Sequence, residues 1–280
     1  MSLSIEKSNH LISKEIRGLI SKRYKTITKA VNSEFRNINS DSDYSFYVGS
    51  YGRGTAVNTS DLDVLIELPD NEYKHFTSLL GNGASRLLQT VKNAILNTYP
   101  KTNIKADGQV VVVKFVDGMK FEILPAFRNI DFGIWNGTYI YPDTHMGGNW
   151  LTTNPKIEQQ TMKIKNSYNE SNGLLFDTCK HIRYIRNEYY SSYHLSGILI
   201  DTFVYSFIDG WHWRRDNEIS NNNFFGKYGR DKNLEEHLLN AYVRYYNSTY
   251  LYAPGSNMRV CTQTQQGWDV LGKILRKMVK

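Results

Sequence analysis

The sequence predicts an α+β fold, and two observations support this class. Strand patterns and glycine-containing turns are concentrated between residues 44 and 124, whereas the chain from residue 154 onward has mostly helical spacing of its apolar residues. Separate runs of strands and helices are typical of α+β proteins, since α/β proteins alternate the two elements along the chain. The length of 280 residues allows one large domain or two lobes. If there are two, the change in pattern predicts a first domain at residues 1–150 that carries the strands and a helical second domain at residues 151–280.

The composition is that of an ordinary globular protein with a basic surplus. Among 280 residues, 34 Lys and Arg against 27 Asp and Glu give a net charge of +7, which favours polyanionic ligands such as nucleoside triphosphates or nucleic acid. The two cysteines, Cys179 and Cys261, lie far apart, so we expect neither a disulfide framework nor a cysteine zinc site. Residues 1–14 lack the apolar core of a signal peptide, and no apolar run reaches membrane-spanning length. These features predict a cytoplasmic protein without a membrane segment.

The first predicted elements are a long helix and a short strand that ends in a glycine turn. Apolar residues recur at three- and four-residue steps through residues 8–35, which predicts one amphipathic helix. Residues 44–48 are aromatic and β-branched, which favours a strand, and this strand breaks at Gly49-Ser50. A small turn of this kind can direct backbone N–H groups and a hydroxyl towards a phosphate.

Two aspartates follow on the next predicted strand, at residues 61–68. Apolar residues alternate along it, so Asp61 and Asp63 share the opposite face, about 6.5 Å apart along the strand. Such a pair suits two Mg²⁺ ions about 3.5–4 Å apart, the arrangement used for in-line displacement at phosphorus. An Asp-x-Asp triplet alone is common and is often a solvated strand end. Its position directly after the glycine turn favours the metal site.

A third carboxylate is predicted on a later hairpin. Two strand patterns at residues 110–116 and 119–124 flank Asp117-Gly118, which has the form of a two-residue turn. In the second arm, Glu122 faces away from its apolar neighbours. If this arm pairs beside residues 61–68, Glu122 joins the two aspartates; if it does not, Glu122 is a solvent-facing residue. Asp117 is the rival third carboxylate, although its place in the turn accounts for it without a function.

The remaining chain is mostly helical in pattern, apart from residues 129–150, which predict loops and short strands. Asn154 before Pro155 has the form of a helix N-cap. Thr152 and Asn154 are also weaker candidates for reading the edge of a base. Predicted helices cover residues 84–99, 156–168, 174–190, 194–208, 234–250 and 265–279, with a polar loop at residues 211–230.

Four stretches of the chain resemble a known enzyme family. They are Val-Gly-Ser-Tyr-Gly-Arg-Gly-Thr-Ala at residues 48–56, Ser-Asp-Leu-Asp-Val at 60–64, Phe-Glu-Ile-Leu-Pro-Ala at 121–126, and a helical pair with His-Ile-Arg-Tyr at 181–184 and Leu-Ser-Gly-Ile-Leu-Ile-Asp-Thr at 195–202. The chain thereby resembles the bacterial cyclic-oligonucleotide synthases. These are nucleotidyltransferases of the DNA polymerase beta superfamily, related to cyclic GMP-AMP synthase and oligoadenylate synthase.

The resemblance implies a polymerase beta-like fold, in which a mixed sheet carries the metal site and a C-terminal helical lobe closes over the nucleotides. Two Mg²⁺ ions are implied, with Mn²⁺ as an alternative. The implied metal ligands and catalytic residues are Asp61, Asp63 and Glu122. The implied contacts of the donor triphosphate are Gly49, Ser50, Arg183 and Ser196, with Lys180 as an alternative to Arg183.

Three positions depart from the family pattern. Glu122 stands where the family commonly has an aspartate, and Arg183 stands where a lysine is more usual. Gly197 follows Ser196 where relatives often have a tyrosine that stacks on a base. Tyr51 and Tyr193 are the candidate substitutes.

The resemblance also implies a function, the condensation of ATP and a second nucleoside triphosphate into a cyclic di- or trinucleotide. Pyrophosphate would be released, and the product would act on a downstream effector in antiphage signalling. A regulatory protein partner is open, whereas a DNA activator is not expected, because two remote cysteines cannot form the zinc insertion of the animal enzyme. The alternatives are a transferase that modifies RNA or protein, or a catalytically silent nucleotide-binding protein. Three intact carboxylates disfavour the silent protein.

Overall fold

A computed structural model of the chain describes residues 3–57, 61–216, 218, 224–225, 233–261 and 265–279. Its contacts form two compact units rather than two domains separated by one cut after residue 150. The sheet unit comprises Ser13–Gly52 and Asp61–Pro155. The helical unit comprises Met1–Ile12, Arg53–Ser60 and Lys156–Lys280. Two early segments of the predicted first domain therefore belong, by their contacts, to the unit that contains the C-terminal helices.

The sheet unit contains seven strands, and helices precede or separate them. Its strands are β1 (Ser45–Tyr47), β2 (Leu62–Glu67), β3 (Asn103–Asp107), β4 (Val110–Lys114), β5 (Lys120–Asp131), β6 (Ile134–Asp143) and β7 (Asn149–Thr153). Its helices are α1 (Lys14–Arg36), α2 (Gly49–Arg53), α3 (Asp70–Ser78) and α4 (Gly83–Thr98), and Arg53 at the end of α2 makes its contacts in the helical unit.

The sheet is mixed, as the resemblance implies. Five strands lie in the order β1-β2-β5-β4-β3, and β6 pairs with both β5 and β7. Only the β2–β5 pair among these is parallel, and its register places Asp63 directly beside Glu122. The predicted pairing of the two carboxylate-bearing strands is therefore confirmed.

Strand β2 lies in the core of the sheet unit. Leu62, Val64, Leu65 and Ile66 are all at most 2% exposed. A strand covered on both faces has a continuous apolar run, and Leu65, on the same face as Asp63, is buried as completely as its neighbours on the other face. The carboxylates at the start of β2 therefore lie on a strand whose backbone is fixed by buried neighbours.

Helix α1 begins later than predicted. Ser13 caps it by accepting a hydrogen bond from the Ile16 backbone N–H. Before this cap, Ser8 and His10 have φ values of 57° and 59°, which a helix does not allow. The apolar spacing of residues 8–12 is therefore not helical, and these residues belong to the helical unit.

The structure differs from the sequence analysis at three other places in the sheet unit. Helix α3 was not predicted, because Phe76 is its one buried residue and leaves no apolar period. Residues 129–150 hold long strands rather than loops, since β5 extends to Asp131 and turns back through Phe132 and Gly133, both with positive φ. The turn at Asp117-Gly118 has three residues, since Phe115 pairs with Met119 and the positive φ belongs to Gly118.

The helical unit packs its helices around an apolar core of aliphatic and aromatic side chains. The predicted helix 234–250 ends at Arg244, and Tyr250 instead begins a short strand. Of the predicted loop 211–230, residues 217, 219–223 and 226–230 lie outside the described residues. The elements are α5 (Pro155–Lys165), α6 (Leu174–Tyr189), α7 (Gly197–Phe207), α8 (Leu234–Arg244) and α9 (Gln265–Val279), with strand pairs β8–β9 (His212–Trp213, Phe224–Phe225) and β10–β11 (Tyr250–Tyr252, Arg259–Cys261).

Among the described residues, no helix has both the length and the apolar character needed to cross a bilayer.

Candidate active site

Two neighbouring strands position the three candidate metal ligands. Asp63 lies on β2, Asp61 immediately precedes that strand, and Glu122 lies on β5 beside Asp63. The carboxylates differ in exposure, since the Asp61 side chain is 55% exposed and that of Glu122 is 29% exposed. Sequence reasoning therefore brought the correct strands together, and the roles of the three side chains stay predictions.

Lys120 links two of these carboxylates. Its Nζ lies 2.9 Å from Asp61 Oδ2 and 2.8 Å from Glu122 Oε1. Partial burial of the ammonium lowers the pKa of Lys120, but its hydrogen bonds and charge interactions with Glu122 and Asp61 outweigh this effect and raise that pKa well above its ordinary value. The sequence analysis missed this residue. Its signal was the two-residue spacing to Glu122, which puts both side chains on one face of β5.

The donor chemistry of this cluster fits a divalent ion. Carboxylate oxygens are the ligands that Mg²⁺ and Mn²⁺ prefer, and Asp61 and Glu122 already share one cation, the Lys120 ammonium. Within the described ranges, however, no three His, Cys, Asp or Glu side chains are placed as a finished metal site. Metal binding would therefore require the Lys120 side chain to move.

Gly49 makes close contact with the metal-ligand candidate Asp63. Its φ is 57°, and a Cβ at this position would overlap Asp63 Oδ2. The neighbouring Val48 backbone N–H donates to the Asp63 carbonyl at 2.8 Å. Only glycine has both the conformation and the space that this position needs. The predicted turn Gly49-Ser50 is the first part of α2, and it lies directly against Asp63.

Tyr51, a candidate for stacking on a base, packs within the sheet unit. Its ring centroid is 4.6 Å from that of Tyr47, which in turn stacks on Tyr24 at 4.5 Å. Burial raises the pKa of Tyr51. The other candidate, Tyr193 in the helical unit, is 40% exposed and has the Lys273 ammonium 5.1 Å from its ring centroid.

Arg183 is enclosed in the helical unit and is 2% exposed. Its Nη1 donates to Asp201 Oδ1 at 2.6 Å, and its Nη2 donates to the Gly197 carbonyl at 2.8 Å. A guanidinium with these partners is not presented to a ligand, so the structure contradicts its predicted grip on the triphosphate. The sequence around Arg183 resembles the family motif, which is why a phosphate contact was predicted there. The sequence alone does not show that Asp201 is the buried counterion of Arg183.

The other predicted triphosphate and base contacts have mixed surroundings. Ser196 caps α7, and its Oγ accepts a hydrogen bond from the Leu199 backbone N–H at 3.4 Å. Lys180 is half-buried, and this burial lowers the pKa of its ammonium group. Thr152 is exposed on β7, and Asn154 directly precedes α5, as its predicted capping position requires.

The chain matches the family model of the Second Messenger Oligonucleotide or Dinucleotide Synthetase domain over residues 7–166, more than half of its length. The chain belongs to this family. It is a nucleotidyltransferase of the cyclic-oligonucleotide synthase class. A comparison with curated proteins found no match.

Solved structures support the fold of this synthetase. The Elizabethkingia meningoseptica CdnE cyclic dinucleotide synthase with GTP and Apcpp is 14% identical, with a TM-score of 0.61 over 95% of this chain and 97% of that chain. The Vibrio cholerae DncV cyclic AMP-GMP synthase with nonhydrolyzable GTP is 13% identical, with a TM-score of 0.65 over 95% and 84%. The E. coli MS115-1 CdnC:HORMA-deltaN complex is 12% identical, with a TM-score of 0.57 over 95% and 84%. At these identities the likeness shows the fold.

The synthetase also contains a buried ion network that sequence reasoning missed. Asp201, at 0% exposure, accepts from Arg53 Nε at 2.8 Å, from Thr55 Oγ1 at 3.0 Å and from Arg183 as described. Arg53 Nη1 also lies 3.4 Å from Glu158 Oε2. Burial raises the pKa of Asp201, but the two arginines outweigh burial and hold that pKa below its ordinary value. An aspartate within the apolar run of α7 was the available signal.

Proposed function

We propose that this synthetase condenses nucleoside triphosphates, ATP and a second nucleotide, into a cyclic di- or trinucleotide and releases pyrophosphate. The observation that carries the proposal is the β2–β5 register, which places Asp63 beside Glu122. Gly49 lies against the Asp63 carboxylate, so the turn proposed to hold the donor triphosphate is next to a proposed metal ligand. Nucleotide transfer needs both components in one place.

Each residue of this cluster has a proposed role. Asp61, Asp63 and Glu122 would hold two Mg²⁺ ions, which, when bound, lower the pKa of the attacking ribose hydroxyl and neutralise charge on the triphosphate and leaving group. Gly49 leaves room for the Asp63 carboxylate beside the backbone, and the Ser50 hydroxyl would donate to a phosphate oxygen. The helical-unit residues Ser196 and Lys180 stay as triphosphate contacts, and Arg183 is removed from that set.

The cellular role is proposed at the level of the family. We propose that the cyclic product is a signal for a downstream effector in antiphage defence, and that a protein partner regulates synthesis. Support for a partner comes from the E. coli CdnC structure, which is a complex with a HORMA protein. For this chain, co-purification from its own host with a crosslinker, followed by mass spectrometry, would identify such a partner.

The proposed reaction is tested by incubating the purified protein with four labelled nucleoside triphosphates and either Mg²⁺ or Mn²⁺. Phosphatase treatment then removes the terminal phosphates of substrates and linear products, whereas a cyclic product has no terminal phosphate and keeps its chromatographic mobility. We expect protected products from the wild-type protein and none from Asp63→Asn. Linear products alone would contradict ring closure, and transfer of label to RNA or to protein would favour the alternative transferase.

A further inference from the structure

A single ammonium group joins two of the proposed metal ligands. Lys120 Nζ lies within hydrogen-bonding distance of both Asp61 and Glu122, at 2.9 Å and 2.8 Å. Lys120 and Glu122 are two residues apart on β5 and project from the same face, and Asp61 precedes the strand that runs parallel to β5. The bridge therefore follows from the pairing of these two strands.

The ammonium and a divalent ion would compete for the same oxygens. A lysine ammonium has three N–H donors, and two of them are directed at the carboxylates that would ligate metal. A second cation at Asp61 and Glu122 would be repelled by the ammonium, because like charges at this range disfavour one another. The Lys120 side chain is flexible and 29% exposed, so it can leave the carboxylates without disrupting the core.

We propose that Lys120 is a displaceable counter-cation that holds Asp61 and Glu122 together in the nucleotide-free enzyme and competes with the divalent ion for them. Lys120 is thus a positioning residue, and the inference rests on the proposed function because it requires these carboxylates to be metal ligands. Its consequence is that metal alone binds weakly. Loading is favoured when a triphosphate arrives, because the phosphates offer the displaced ammonium new acceptors.

The test is Mn²⁺ binding to nucleotide-free protein, measured by electron paramagnetic resonance and by calorimetry. We expect Lys120→Met to tighten Mn²⁺ binding by about tenfold, the lower end of the effect of a charge within a few ångströms. Lys120→Arg, which keeps a cation, should stay near the wild-type affinity. The matched control is Lys114→Met, because Lys114 is exposed and lies directly across from Lys120 on β4. It removes the same charge from the same strand pair, and no carboxylate of the described residues forms an ion pair with it. The change should alter the affinity less than twofold, because exposed charges couple weakly.

Each result decides the inference. Equal or weaker Mn²⁺ binding in Lys120→Met than in Lys114→Met would overturn it, while leaving the proposed function intact. A parallel Asp63→Asn measurement separates the two, because wild-type Mn²⁺ affinity in that variant would overturn the metal site itself. Lys120→Gln, with the same expected gain, replaces Lys120→Met if the thermal midpoint shows that the methionine variant is unfolded.

Discussion

Two carboxylate clusters of this molecule place aspartates in opposite surroundings. In the sheet unit, Asp61 is 55% exposed and shares the Lys120 ammonium with Glu122. In the helical unit, Asp201 is 0% exposed and is paired with two arginines. The first cluster can exchange its cation with solvent, whereas the second cannot. Exposure, rather than residue type, thus separates a cluster that can take part in chemistry from one that holds the fold.

The largest effect on stability is expected from breaking the Asp201 cluster of the helical unit. Asp201→Asn leaves Arg53 and Arg183 buried without a full counter-charge, which costs about 3–5 kcal/mol of unfolding free energy. Urea unfolding, followed by circular dichroism, measures this loss. The matched control is Asp61→Asn, whose exposed ion pair is worth about 0–1 kcal/mol. Equal stability losses in the two variants would contradict the comparison.

The second-largest effect is on product formation and concerns the carboxylates of the sheet unit. Asp63→Asn should lower product formation by at least about a hundredfold, as for loss of one group that stabilises the transition state. The thermal midpoint should stay close to that of the wild type, because the change removes charge repulsion between carboxylates without opening a cavity. Turnover and midpoint should be measured on the same preparation. Substantial activity in this variant would refute the two-metal assignment.

A third test uses the pH dependence of the unfolding free energy to examine two histidines of the helical unit, the buried His181 and the half-buried His10. His181 Nε2 faces the Leu3 carbonyl at 2.8 Å and must donate to it, so its Nδ1 accepts from His10 Nε2 at 3.2 Å. Burial lowers the pKa of both histidines. Their contribution to stability is therefore complete above pH of about 6.5 and is lost as the pH falls through the lowered values. Burial also raises the pKa of Asp177, which acts in the opposite direction at lower pH.

His10→Gln keeps a donor amide and removes one of the two titrating rings. Each ring contributes at most about 1.4 kcal/mol per pH unit to the slope of unfolding free energy. We expect the slope between about pH 7 and pH 5.5 to be smaller in the variant. Urea unfolding at several pH values measures it, and an unchanged slope would show that the histidine pair does not titrate with unfolding.

The smallest effect is expected at an exposed ion pair of the sheet unit. Asp117, which is 40% exposed, pairs with Arg23 at 2.9 Å, and this hydrogen bond lowers the pKa of Asp117. Asp117→Asn should cost about 0–1 kcal/mol of stability and leave turnover near the wild-type value. Loss of turnover in Asp117→Asn, together with retained turnover in Glu122→Gln, would reassign the third carboxylate to Asp117.

Local sequence patterns predicted the elements of the candidate site, and long-range partners limited the rest. Alternation along residues 61–68 and 119–124 placed Asp63 and Glu122 on strands that pair as predicted. The spacing of Lys120 and Glu122 is visible in the sequence, whereas the contact of Lys120 with Asp61 depends on the parallel register of the two strands, for which no local signal exists. The predicted triphosphate contact Arg183 is buried against Asp201, whose other arginine partner, Arg53, lies 148 residues away in the chain. A residue's charge can be read from the sequence, whereas the counterion that neutralises it cannot.

The discontinuous make-up of the helical unit has a consequence for biosynthesis. During translation, Arg53 emerges long before its partner Asp201, which follows 148 residues later. At about 5–20 residues per second, that interval is about 7–30 s. The strands of the sheet unit have all been synthesised by residue 155. On the ribosome, Arg53 therefore lacks its counter-charge while the strands of the sheet unit have the opportunity to fold, and the Arg53–Asp201 ion pair forms only when α7 has left the exit tunnel.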